Sequence, residues 1–128
     1  MRPDRGFSLV ETAVAVALLA IIVISILSGF SAVTLAATRH QQATTLDRLT
    51  RSDAEFIKSQ PYRANNTPAY SQLSATGYTF TYTILYWQKN ATPPFSATNL
   101  DTGLQEIILT VSGPNGSSEQ LDFLKELP

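Results

Sequence analysis

The sequence has no cysteine and only one histidine, one methionine and one tryptophan in 128 residues. Without cysteine there is no disulfide framework, no thiolate metal site and no cysteine nucleophile. The single histidine, His40, has no second histidine or cysteine to complete a metal site. Charge is also scarce, at 15% of residues with a net charge of -1. The basic surface through which nucleic acid phosphates are bound is therefore missing, and no nucleic acid partner is expected. The scarcity is uneven. Between Glu11 and Arg39 lie 27 residues, Thr12 to Thr38, without one charge, whereas the 90 residues from Arg39 to Pro128 hold seven Lys/Arg and eight Asp/Glu. The chain reads as a hydrophobic stem followed by a polar head.

Within the stem, Ala13 to Ile24 runs AVAVALLAIIVI, twelve positions with no polar side chain. At about 1.5 Å per residue, roughly 20 residues cross a hydrocarbon core of about 30 Å, and Phe7 to about Leu27 is long enough. A span exposed to lipid must satisfy its own backbone groups, so this segment is predicted to be α-helical. In water, a helix apolar on every side needs a large core around it, which the remaining residues do not readily supply. Two ordinary N-terminal segments share this hydropathy. For a cleaved secretory signal, Arg2 and Arg5 give the basic start and Leu35-Ala36-Ala37 a loose cut site. The apolar stretch is nevertheless too long for it, and Glu11 stands at its entrance. An uncleaved signal anchor tolerates the length but gives no reason for Glu11.

Arg5-Gly6-Phe7-Ser8-Leu9-Val10-Glu11, followed at once by the apolar run, resembles the class III signal of type IV pilins and type II secretion pseudopilins. The resemblance implies that residues 1–6 are a leader on the cytoplasmic side and that a prepilin peptidase cuts between Gly6 and Phe7. It implies further that the new amine of Phe7 is methylated and that residues 7–38 survive as a transmembrane and polymerisation stem. Its implied partners are other pilin or pseudopilin subunits, a membrane assembly platform with its ATPase, and the lipid bilayer before assembly. The implied location is a single pass of the cytoplasmic membrane with the head outside the cytoplasm. The small head without a C-terminal cysteine pair is most similar to minor pilins or the I-type minor pseudopilin.

The residue types suit those roles. Gly6 has no side chain, so an enzyme cleft can approach its carbonyl closely. Cleavage leaves a cationic amine on Phe7 at the edge of an apolar environment. A charge at the centre of a transmembrane helix costs about 2.5–3.5 kcal/mol on insertion scales, less near the interface. Pairing Glu11 of one subunit with the Phe7 amine of a neighbour replaces two lone charges with a pair. Mismatched stacking strands a buried charge at several kcal/mol, so the pair is expected to set axial register. The plainer alternatives are that Glu11 favours its own helix macrodipole, worth about 0.3–1 kcal/mol, or pairs with the Phe7 amine of its own chain.

Residues 39–60 continue as an amphipathic helix, with Ala43, Leu46, Leu49, Phe56 and Ile57 as its apolar side and Arg48, Arg51, Asp53, Glu55 and Lys58 over the remainder. Pro61 ends it. Stem and extension together make one helix of about 50 residues, about 75 Å long. Residues 61–128 form the head. Tyr62 to Gly77 reads as a surface loop and Asn90 to Gly103 as a second one. Strands are predicted over Tyr78–Trp87, Leu104–Ser112 and Glu119–Lys125, with Gly113-Pro114-Asn115-Gly116 as a tight turn. The expected fold is α+β, with the long helix packed on a three-stranded antiparallel sheet.

Other candidates read more plainly. The stripe Tyr78, Phe80, Tyr82, Ile84 and Tyr86 could stack bases or sugars, but a strand with one aromatic face is by default core. Asn99 to Gly103 with Glu106 offers oxygen ligands for calcium, yet lacks EF-hand spacing and reads as turn chemistry. Asn65, Asn90 and Asn115 begin Asn-X-Ser/Thr patterns. There is no nucleophile–base pair, phosphate loop or mechanistic carboxylate pair, so no enzyme activity, cofactor or metal is expected. The rival functional class is a single-pass, signal-anchored protein whose head binds a ligand without polymerising; a third is a secreted binding domain.

Overall fold

The computed structural model describes residue 6 and residues 8–128. A helix, α1, runs Leu9–Ser59. The chain divides into two compact units between His40 and Gln41, and α1 contributes to both. In the first unit the helix is apolar on all sides and exposed, with Leu18 and Ile24 at 56% and 63% accessibility. It contains an 18-residue window apolar enough to cross a membrane. Its hydroxyl groups turn inward on their own backbone: Ser25 donates to the Ile21 carbonyl at 2.8 Å, Ser31 to Leu27 at 3.0 Å and Thr34 to Phe30 at 2.9 Å. Polar side chains thereby meet the requirement that hydrocarbon imposes on every polar group. The helix continues unbroken through Gly29.

In the second unit a sheet of four antiparallel strands packs on α1. They are β1 (Thr79–Trp87), β2 (Phe95–Ser96), β3 (Leu104–Ser112) and β4 (Ser118–Glu126), in the order β2-β1-β3-β4. The three expected strands and their antiparallel meander are present, but the sheet has four. The fourth lies inside the expected loop Asn90 to Gly103, where Phe95 pairs with Trp87 and Ser96 with Tyr86. Asn99 holds it there, donating through Nδ2 to the carbonyls of Tyr86 at 3.0 Å and Pro94 at 3.1 Å.

Period-2 alternation puts Ile107, Leu109 and Val111 of β3 wholly inside, beside Leu46, Ala54 and Ile57 of α1. Phe80, Tyr82 and Tyr86 of β1 and Leu121 and Phe123 of β4 pack around them. The aromatic stripe of β1 is thus core. Three expectations about the helix are overturned. Ala43 and Phe56, expected in the apolar side, are exposed, Phe56 at 37%, and Asp53, expected outside that side, is buried. The buried line of α1 runs Leu46, Thr50, Asp53, Ile57, the true i, i+4, i+7, i+11 spacing of one face, and Phe56 falls a residue short of it. The segment expected to be a plain surface loop also enters the core, since Tyr70 is only 3% exposed.

Candidate processing and assembly site

The helix starts at Leu9 because Ser8 and Glu11 cap it reciprocally. The Glu11 amide donates to Ser8 Oγ at 3.1 Å, and the Ser8 amide donates to Glu11 Oε2 at 3.0 Å. This is a capping box, in which two of the otherwise orphaned donors of the first turn are satisfied by side chains. The Ser8 carbonyl accepts the Thr12 amide at 3.0 Å and opens the helical ladder. The sequence carries the signal for it in the Ser-X-X-Glu pattern from Ser8 to Glu11.

Of the proposed site residues, Gly6 is exposed, and a Cβ built on it would meet nothing within 4 Å. Phe7, the expected methylated residue, lies outside the described residues. Glu11 is exposed on the first turn, with one carboxylate oxygen given to its own chain's cap. It is the only Asp, Glu, Lys or Arg in the helix from Leu9 to Thr38.

The head's own polar cluster lies elsewhere. Asp101 accepts from Tyr62 Oη, the Asn65 amide at 2.7 Å, the Gly103 amide at 3.0 Å and Gln105 Nε2 at 2.9 Å. Gln105, itself buried, accepts from Tyr70 Oη at 3.0 Å and donates to the Arg63 carbonyl at 2.9 Å. Burial works against ionisation of Asp101, yet the hydrogen bonds from Tyr62, Asn65, Gly103 and Gln105 outweigh it and lower its pKa. Burial first, then the Asp101 carboxylate, raises that of Tyr62. The Asp101 oxygens considered for calcium are therefore engaged by protein donors, and Glu106 points to the opposite side of β3 from Gln105. Asp101 and Glu106 do not converge. Among the described residues no group of three or more metal-ligating side chains is assembled.

A buried carboxylate, Asp53, ties α1 to the irregular segment. It accepts the Leu73 amide at 2.6 Å and Gln72 Nε2 at 3.2 Å, and burial raises its pKa. Gln60, just past the end of α1, brackets Ser71, accepting its amide at 3.0 Å and donating to its carbonyl at 2.7 Å. Asn65, Asn90 and Asn115 all have positive φ, so these Asn-X-Ser/Thr patterns coincide with turns that favour asparagine. His40 is exposed on α1. The Asp53 and Gln60 contacts hold the irregular segment to the head's helix; none of these features supplies a nucleophile with a base.

Residues 1–27 match the family described as the prokaryotic N-terminal methylation motif. That motif is the signal of type IV pilins and pseudopilins, and it supports a pilin-like substrate of prepilin peptidase. The match covers the N-terminal 27 residues, and the long apolar helix that begins within it at Leu9 is consistent with a membrane anchor. No curated protein and no solved structure matches the chain.

Proposed function

We propose that this chain is a structural subunit, a minor pilin or pseudopilin, that is cut between Gly6 and Phe7 and assembles through its apolar helix into a type IV pilus or type II secretion pseudopilus. The observation that carries the reading is the methylation motif running straight into an exposed apolar helix with a single charge, Glu11. Cleavage creates a cation on Phe7 within one helical turn of an acid in the same sequence. In a stack of such helices the acid of one copy meets the amine of the next, and register follows because any other stacking strands a charge. The bilayer holds the subunit until assembly, and a membrane platform with its ATPase supplies the work of extraction.

A second reading rests on the capping box. Glu11 already receives the Ser8 amide, so its role ends there if the protein is a signal-anchored monomer with a ligand-binding head. Intact mass of the protein expressed with a prepilin peptidase separates the two. The proposed subunit begins at Phe7 and carries one methyl group. Recovery of the chain with its first six residues attached refutes that proposal and leaves the anchored monomer; a start near Ala37 or Thr38 instead identifies an ordinary secretory signal.

A further inference from the structure

Two exposed surfaces of the 41–128 unit carry unbalanced charge of opposite sign. On the sheet face turned away from α1, Leu124 of β4 is 58% exposed and lies directly across from Glu106 of β3. Asp122 and Glu126 sit two positions to either side of it along the same face of β4. Leu85 of β1 stands opposite Glu106 on its other flank. Three carboxylates thus surround an exposed leucine, and no strand position on this face is Lys or Arg. None of the three has an ion-pair partner among the described residues. Among the described residues Asp122 accepts only from the Gln120 side-chain amide, at 3.1 Å. Like charges on neighbouring strand positions destabilise one another, and a cation set beside an apolar group would relieve them.

The chain carries such a group on α1. Arg48, Ser52 and Phe56 are all exposed and follow at i, i+4 and i+8, one ridge about 12 Å long. Arg51 and Lys58 are held by Asp47 at 2.9 Å and Glu55 at 3.1 Å. Arg48 has no ion-pair partner among the described residues. Phe56 is the one exposed large apolar residue of α1 between Gln41 and Ser59. On the sheet, Asp122 and Leu85 lie two strands apart and two positions along, again about 12 Å.

We propose that the Arg48–Phe56 ridge of one copy docks on the outer sheet face of a second copy. Arg48 meets Asp122, with Glu106 beside it, and Phe56 covers Leu85. The two patches differ, so the contact is heterologous and propagates from head to head instead of closing into a pair. It adds a contact between heads to the assembly proposed above for the stem, and it does not depend on removal of the leader.

The chain has no cysteine of its own, which permits a direct test on full-length protein in lipid vesicles. Ser52→Cys and Leu124→Cys proteins are mixed and exposed to a mild oxidant. A disulfide-linked dimer is expected in the mixture and in neither variant alone. Adding Arg48→Glu to the Ser52→Cys chain should cut its yield by about fivefold or more, and Glu106→Arg with Asp122→Arg on the other chain should restore it. No mixed dimer, a dimer of Leu124→Cys with itself as the main product, or a yield indifferent to Arg48→Glu overturns the contact. Mass analysis of the same samples reports leader removal separately, so cleaved and methylated protein that fails to cross-link counts against this contact alone.

Discussion

Asp101 and Asp53 are both engaged by protein donors in the head, yet they titrate in opposite senses. Asp101 has four donors, and its pKa lies below the ordinary 3.8. Its contribution is complete above 3.8 and is lost as pH falls through the lower folded value. Asp53 has two donors that do not offset its burial, and its pKa lies above 3.8. The folded state therefore holds its proton more tightly, and stability is lost as pH rises from 3.8 through the raised value. Asp53→Asn keeps an acceptor for the Leu73 amide and removes the buried charge. Its thermal midpoint in detergent at pH 7 should equal or exceed that of the parent, and a clear drop would contradict the assignment. Asp101→Ala leaves the donors of Tyr62, Asn65, Gly103 and Gln105 without their acceptor. It should cost on the order of 2–3 kcal/mol in denaturant unfolding, and a loss under about 0.5 kcal/mol would contradict the network.

The secondary-structure elements are joined by fewer residues than their lengths suggest. Lys125 of β4 donates to the carbonyls of Ile57 at 3.2 Å, Lys58 at 3.0 Å and Gln60 at 2.6 Å, closing the C-terminal end of α1. A cation there also meets the negative end of the helix dipole, and burial lowers its pKa. Lys125→Met should destabilise the head by about 1–3 kcal/mol, and amide exchange should rise first at the last turn of α1. Unchanged exchange there would contradict the capping role. Strand β1 is legible because exposed threonines alternate with inward Phe80, Tyr82 and Ile84 from Thr79 to Ile84. Strand β2 is not, since two residues carry no period and its position depends on Asn99. In α1 the apolar residues were visible but the face was misjudged. Counting Phe56 as core ignored that Thr50 and Asp53 complete the Leu46–Ile57 line. The burial of Asp53 becomes intelligible only with Leu73 and Gln72 beside it, and these come from an irregular segment without a readable pattern. Tyr70 escaped notice for the same reason.

For the chain as a whole, the contrast between an uncharged stem and a charged head was readable from composition, because hydrocarbon tolerates so few residue types. The motif at residues 1–27 was readable because its chemistry is local to a heptapeptide. The cap that occupies Glu11 was readable only in part, and it bears on the central claim, that the charge of Glu11 rather than its capping bond governs assembly. Glu11→Gln separates the two, since glutamine at this position also completes a capping box but brings no charge to a neighbour's amine. The decisive measurement is the fraction of Glu11→Gln subunit, cleaved at Phe7, recovered in sedimented filaments relative to the parent. With the neighbour's amine left unpaired at several kcal/mol, cleavage should be retained while incorporation falls by about tenfold or more. Incorporation equal to that of the parent would contradict the account.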